Sequence, residues 1–265
     1  MVKQGNPSIP VFVYGAPGIG KTEIVNAVGK KMGMKVYTFI ASTMDPSDVR
    51  GIPMPNKQKG YADWFPPKEF VHDENKEPAI YFFDELNMAT QEVRAAFYQL
   101  ILSGKLGDID ISNSLRVGAG NQRLLVPEVR GAWLGTPLAT RFNIYWMLPD
   151  LSSWLNYAKA MHNGKPRVNP VILDFITDKK IAAEQGLSQL FYCVNSVAID
   201  CMGQLLATPR GWVKLSDMID HDLTTLSDFQ SALGVKIGKI FYTYYLEHVK
   251  KLGLGEREER TDLGL

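Results

Sequence analysis

Apolar residues in the first 150 positions come in short unbroken runs: VFVY from Val11, KVYTFI from Lys35, AIYFF from Ala79, LRVGAG from Leu115 and FNIYWML from Phe142. Each is bounded by turn-forming or charged residues, the pattern of strands. Between them, Ile24 to Met32 and Ala89 to Ser103 repeat apolar side chains at helical spacing, the second with Val93, Phe97, Leu100 and Ile101 on one face. Strands that are apolar throughout, instead of at every second residue, are buried on both faces. The alternation therefore predicts an α/β fold, a three-layer αβα core around a mainly parallel five-stranded sheet.

After Asp150 the strand signals fade. DLSSWLNYAKAMH, NPVILDFITDK, LSQLFYCVNSVAIDCMGQLL, WVKLSDMIDHD, LSDFQSAL and KIGKIFYTYYLEHVKKL all read as helices. In the last, Ile237, Ile240, Phe241, Tyr244 and Tyr245 share one stripe, which reads as core. The expected organisation is an α/β core over 1–150, a small all-helical lid domain over 151–252 and a charged, frayed tail over 253–265. In the third of these helices Leu187, Leu190, Phe191, Val194, Val197 and Cys201 repeat at helical spacing. Eight residues of helix from Cys193 to Cys201 rise about 12 Å, beyond the roughly 7 Å reach of a disulfide. Both thiols are expected to be buried and passive.

Charge narrows the partners. The net charge is +1, with 16 basic against 15 acidic residues through Asp150 and 13 against 13 after it, so neither half signals a polyanion. No run of about 18 apolar residues or leader-like start occurs, which predicts no membrane partner and a cytoplasmic address. The four histidines, His72, His162, His221 and His248, have no metal-ligand spacing and receive no catalytic role.

The chemistry sits at the ends of the strands. Gly15, Ala16, Pro17, Gly18, Ile19, Gly20, Lys21 and Thr22 fit the P-loop pattern at every fixed position, after a strand and before a helix. Glycines let backbone N–H groups approach phosphate oxygens, and the following helix directs its positive end at them. Lys21 is placed to reach the β/γ-phosphates and Thr22 to offer a hydroxyl to Mg²⁺. The AIYFF strand ends in Asp84 and Glu85: Asp84 can hold the Mg²⁺ assembly, and Glu85 can polarise water for attack on the γ-phosphate. A carboxylate that activates water favours hydrolysis over transfer. LRVGAG ends in Asn121, an uncharged side chain able to orient that water.

These three stretches resemble the AAA+ ATPases, and among them the MoxR-like branch. The resemblance runs from about Pro10 to Leu215. It implies a P-loop NTPase of the AAA+ kind with ATP and Mg²⁺ as cofactors, Walker A at Gly15 through Thr22, Walker B at Asp84 and Glu85, and sensor 1 at Asn121. TPLATRF looks like the family's segment ending in Arg-Phe, which makes Arg141 the candidate arginine finger, with Arg123 and Arg130 as alternatives. TPRGWVKLSDMI resembles the start of the sensor 2 helix and would put Arg210 over the γ-phosphate. The stretch from Asp45 to Pro67 stands where MoxR-like proteins carry an insert that faces the ring pore or the client; a surface Ω-loop is the other reading. SGKLGDIDISNSLRVG is expected to form a hairpin ahead of sensor 1.

The function so implied is Mg-ATP hydrolysis in a homo-oligomeric ring, hexameric by the family's habit, that remodels or chaperones a protein complex. An adaptor with a von Willebrand factor A-type domain is the partner the resemblance implies. Only about ten residues precede the first strand, fewer than the family's adenine-contacting region, so base specificity stays open. Two other readings stay open: an AAA+ motor acting on nucleic acid, and a monomeric P-loop kinase, against which Glu85, Asn121 and the late arginines count.

Overall fold

The computed structural model describes residues 9–71, 77–121, 134–185, 187, 190–194 and 206–251. They divide into two compact units, one holding residues up to 16 and 20–148, the other 17–19 and the chain from 149 onward. Arg123, Arg130, His72, Cys201 and the 253–265 tail lie outside the described residues.

In chain order the first unit contains β1 (Val11–Gly15), α1 (Lys21–Met32), β2 (Val36–Ile40), α2 (Pro46–Arg50), β3 (Ile52–Asn56), β4 (Tyr61–Phe65), β5 (Ile80–Asp84), α3 (Gln91–Ser103), β6 (Lys105–Leu106), β7 (Ile109–Asp110), β8 (Leu115–Asn121), α4 (Thr136–Ala139) and β9 (Asn143–Met147). The five apolar runs become one sheet in the order β2-β5-β8-β1-β9, parallel at every pairing. This is the expected α/β core around a parallel five-stranded sheet. Its strands serve two cores at once. Tyr81 and Phe83 of β5 pack with Phe12, Phe39 and the Val93, Phe97, Leu100 and Ile101 face of α3. Ile80 and Phe82 turn the other way, with Val25 of α1 and Ala119 of β8. The unbroken apolar run in β5 is thus what a strand covered on both faces requires. Helix α1 lies close to the sheet because Gly29 has no side chain: a Cβ there would stand 2.4 Å from Val36 Cγ2.

Two local features go beyond the periodicity. The stretch from Asp45 to Pro67 holds the short helix α2, capped reciprocally by Asp45 and Asp48, and then an antiparallel hairpin, β3 with β4. No Ω-loop forms there. Asn56 ties the hairpin through Nδ2 to Asp63 at 2.7 Å, and Lys59 pairs with Asp63 at 3.5 Å. The expected hairpin ahead of β8 is present as β6 with β7.

The second unit contains α5 (Leu151–Lys159), β10 (Met161–His162), β11 (Lys165–Pro166), α6 (Pro170–Thr177), α7 (Lys179–Glu184), β12 (Cys193–Val194), β13 (Leu206–Ala207), α8 (Pro209–Asp220), α9 (Leu226–Leu233) and α10 (Val235–Lys251). Phe175, Trp212, Phe229, Ile237 and Phe241 are fully buried at its centre, with Ile240, Tyr244 and Tyr245 packed against them. The stripe on the last helix is therefore core. Helices dominate this unit, but two-residue ladders join β10 to β11 and β12 to β13.

The expected helix through Cys193 is corrected by the second ladder, in which Cys193 pairs with Ala207 and Val194 with Leu206. Its apolar residues Leu190 and Phe191 are still buried, but the Phe191 carbonyl accepts the Trp212 indole N–H at 2.8 Å. With that correction the helical rise between the two cysteines no longer applies. Among the described residues, no helix is long and apolar enough to cross a membrane.

Candidate active site

The glycine loop follows β1, and its geometry depends on residues without a Cβ. Gly18 and Gly20 stand at φ 73° and 95°, in the left-handed region that disfavours other residues. Gly20 is the N-cap of α1 and no side chain caps that helix, so its first-turn N–H groups face the loop as a cradle for an anion. Lys21 opens the helix and folds back. Its Nζ donates to the Gly15 carbonyl at 3.0 Å, the Ala16 carbonyl at 2.9 Å and Asn121 Oδ1 at 2.9 Å.

The neighbouring strand ends supply the rest. Thr22 Oγ1 donates to Asp84 Oδ2 at 2.9 Å, which brings P-loop hydroxyl and strand-end carboxylate together across 62 positions of sequence. Glu85 adopts φ 54°, ψ 28°. Among the described residues two other non-glycine residues share the left-handed region, Asn163 and Asp222. Asn and Asp tolerate it; for a glutamate it is a strained conformation held by its surroundings. The Glu85 N–H donates to Asp84 Oδ1 at 2.9 Å, its carbonyl accepts from Met88 N–H at 2.8 Å, and its Oε2 accepts from the Ser42 hydroxyl at 2.5 Å. The turn thus ties the Glu85 carboxylate to Ser42 while its main chain adjoins Asp84, the partner of Thr22.

Ser42 and Asn87 are site residues that sequence reasoning missed. Asn87 is fully buried, and its Nδ2 donates to the Asn121 carbonyl at 3.0 Å, which fixes the end of β8 where Asn121 meets Lys21. Both have a weak signal in the sequence, since each lies just past the carboxyl end of a parallel strand, where ligands of α/β sheets bind. Room for Asn87 comes from Gly120, where a Cβ would stand 2.2 Å from Asn87 Oδ1. Gly120→Ala is expected to lower stability by about 1–3 kcal/mol through overpacking and to slow hydrolysis more than it weakens nucleotide binding. A thermal melt and a phosphate-release assay check this, and unchanged values in both would contradict it.

The residues present fit Mg²⁺ with a nucleotide. A hydroxyl and a carboxylate form a hard-oxygen pair of the kind that holds Mg²⁺ through one or two protein ligands, with phosphates and waters completing the shell. Among the described residues, no group of three or more His, Cys, Asp or Glu side chains able to hold a metal occurs.

The two arginines are placed differently. Arg141 lies between α4 and β9 in the first unit, half-buried, with its Nη1 donating to the Pro137 carbonyl and its guanidinium 5.5 Å from the centre of the Tyr98 ring. It is not brought to Lys21 or Asp84 by any hydrogen bond or ion pair among the described residues. Arg210 is the second residue of α8 in the other unit, which also contains Pro17–Ile19, and its N–H donates to the Gly18 carbonyl at 3.0 Å.

Residues 10–121 match the family model of the AAA domain, dynein-related subfamily. That span runs from β1 to Asn121 and contains every hydrogen bond described above for Lys21, Thr22, Glu85 and Asn87. Solved structures give weaker likenesses. The Thermotoga maritima RuvB Holliday junction branch migration motor is 17% identical with a TM-score of 0.45, over 96% of this chain and 65% of that one. A proline-to-glycine variant of T. maritima RuvB gives 16% and 0.46, over 96% and 66%. The chain therefore spans just under two thirds of the length of these proteins.

Proposed function

We propose, from the match of residues 10–121 to the AAA-domain family model, that the chain is an ATP hydrolase, a MoxR-like motor that couples Mg-ATP hydrolysis in a ring of identical subunits to remodelling of a protein complex. The observation that carries the reading is the convergence at three strand ends, with Lys21 on Asn121, Thr22 on Asp84, and Glu85 held beside them in a strained conformation. Mg²⁺, when bound, would neutralise negative charge on the phosphates as the Pγ–O bond breaks. Thr22 and Asp84 are the residues that hold it. Lys21 offers its ammonium to the β/γ-phosphates, the α1 N-terminus supplies N–H donors, and Glu85 takes the proton from a water that Asn121 orients. Arg141 acts on the site of a neighbouring subunit, and Arg210 is the sensor 2 arginine of the reading.

Protein partners fit the charge balance and the exposed hairpin. Tyr61 and Trp64 of β4 are 58% and 50% exposed, large aromatics of the kind that anchor interfaces. An adaptor with a von Willebrand factor A-type domain is the partner we propose. Tyr61→Ala with Trp64→Ala is expected to keep basal ATP turnover and lose stimulation by the partner. Equal stimulation of the double variant would remove the hairpin from the coupling surface.

The central test is a Glu85→Gln trap. Its amide cannot accept the proton, so hydrolysis is expected to fall by roughly 10²–10⁴ while ATP stays bound, and proteins retained with the ATP-bound form on affinity capture identify the client. Loss of ATP binding in this variant would make Glu85 a structural residue. Retention of nucleic acid, with DNA-stimulated turnover of the unmodified chain, would replace the protein client by a nucleic-acid one.

A further inference from the structure

Strand β2 is an edge of the five-stranded sheet, and one side of it is unpaired. The Lys35 carbonyl accepts from the Ile80 N–H at 2.8 Å, and in a parallel ladder alternate residues turn their backbone groups to the same neighbour. Lys35, Tyr37 and Phe39 therefore serve β5, and Val36, Thr38 and Ile40 turn theirs outward. The Ile40 carbonyl accepts from the Thr43 hydroxyl at 2.9 Å. Among the described residues nothing meets the Thr38 N–H and carbonyl or the Ile40 N–H.

A cleft of about 670 Å³ runs beside this edge, lined among others by Thr38, Ile40, Asp48, Ile52, Phe65 and Glu69. Three of these are large apolar side chains left in solvent: Ile40 is 51% exposed, Ile52 58% and Phe65 61%. Exposed edges of this kind invite pairing with another chain. Asp48 and Glu69 are the charged residues of the lining, and both are acidic. The cation nearest Glu69, Lys68, is 4.0 Å away with its side chain 92% exposed, a separation and exposure at which an ion pair contributes little.

We propose that the cleft receives an extended segment of a protein partner, apolar at alternate residues and basic at those between, which adds to β2 as a sixth strand. Main-chain hydrogen bonds to Thr38 and Ile40 would hold it, alternate apolar side chains would cover Ile40, Ile52 and Phe65, and its cations would meet Asp48 and Glu69. The same two carboxylates repel phosphates, which excludes a nucleic-acid strand as the occupant. This goes beyond the nucleotide reading and is tested without nucleotide.

The full chain is titrated by fluorescence anisotropy with three labelled peptides: alternating Val and Lys, alternating Val and Glu, and the Val/Lys peptide with every second amide N-methylated. The Val/Lys peptide is expected to bind and to slow hydrogen exchange at the Thr38 and Ile40 amides. The acidic and N-methylated peptides are expected to bind at least about tenfold more weakly, the loss that follows from one charge-assisted pair or a missing ladder bond. Ile40→Pro removes the outward N–H at a backbone φ of −86°, close to what proline adopts, and is expected to weaken the Val/Lys peptide while leaving ATP binding unchanged. Should that variant misfold, Glu69→Gln and the exchange pattern carry the test. Failure of the Val/Lys peptide to bind, equal binding of the acidic or N-methylated peptide, or protection away from β2 would each overturn the proposal.

Discussion

Lys21→Ala is expected to leave a folded chain with no nucleotide-dependent turnover. The ammonium is held 2.9–3.0 Å from three oxygens, two of them loop carbonyls and the third on Asn121. In that position it is the one described cation that the glycine loop itself supplies to a phosphate. Hydrogen bonds to charged groups contribute about 1.5–3 kcal/mol each, so losing two of them toward phosphate weakens ATP binding by roughly 10²- to 10⁴-fold, at 1.4 kcal/mol per decade. Alanine keeps the helix, for which it is the best former, so the melting temperature should change little. Titration with a fluorescent ATP analogue, phosphate release and a thermal melt together check this. Normal turnover in the variant would mean that the glycine loop is not the phosphate cradle.

Arg141→Ala is expected to bind ATP, to assemble, and to hydrolyse about 10³–10⁵-fold more slowly, the range that arginine fingers contribute in phosphoryl transfer. The local geometry supports a residue whose charge is used elsewhere. Among the described residues its side-chain contacts are to neutral groups, the Pro137 carbonyl and the Tyr98 ring, and its buried Nε has no hydrogen-bond partner. Among the described residues no carboxylate pairs with it. The decisive measurement mixes Arg141→Ala with Lys21→Ala. Each is inactive alone, but a mixed ring contains interfaces where an intact glycine loop faces an intact Arg141, so partial turnover should return. No recovery in subunits shown to co-assemble would mean that Arg141 acts within its own chain, or that Arg130 is the finger.

Most of the architecture was legible because hydrophobic burial writes itself locally. All five sheet strands coincide with apolar runs, although the edge strand β9 leaves Tyr145 and Trp146 exposed, and α1, α3, α8, α9 and α10 coincide with helical periodicity, since a strand buried on two faces, as β5 is, and a helix buried on one leave unmistakable spacings. The glycine loop was legible for a different reason: its backbone angles restrict residue type directly, as the φ of Gly18 and Gly20 shows.

What tertiary structure alone decided are the long-range partners. Periodicity along the chain cannot tell that Lys21 meets Asn121 across 100 positions, because that contact follows from β1 and β8 being sheet neighbours. Asn87 and Ser42 act by holding other residues, so beyond their place past a strand end their types carry no motif; the void left by Gly120 and the strained turn at Glu85 reveal their roles. The stretch around Cys193 has helical spacing and still forms a ladder. Its Phe191 carbonyl is committed to Trp212, and its apolar side chains find burial against a core already built by α6, α8, α9 and α10. Apolar spacing states that a segment needs burial, and the surface available to bury it decides which backbone conformation supplies that burial.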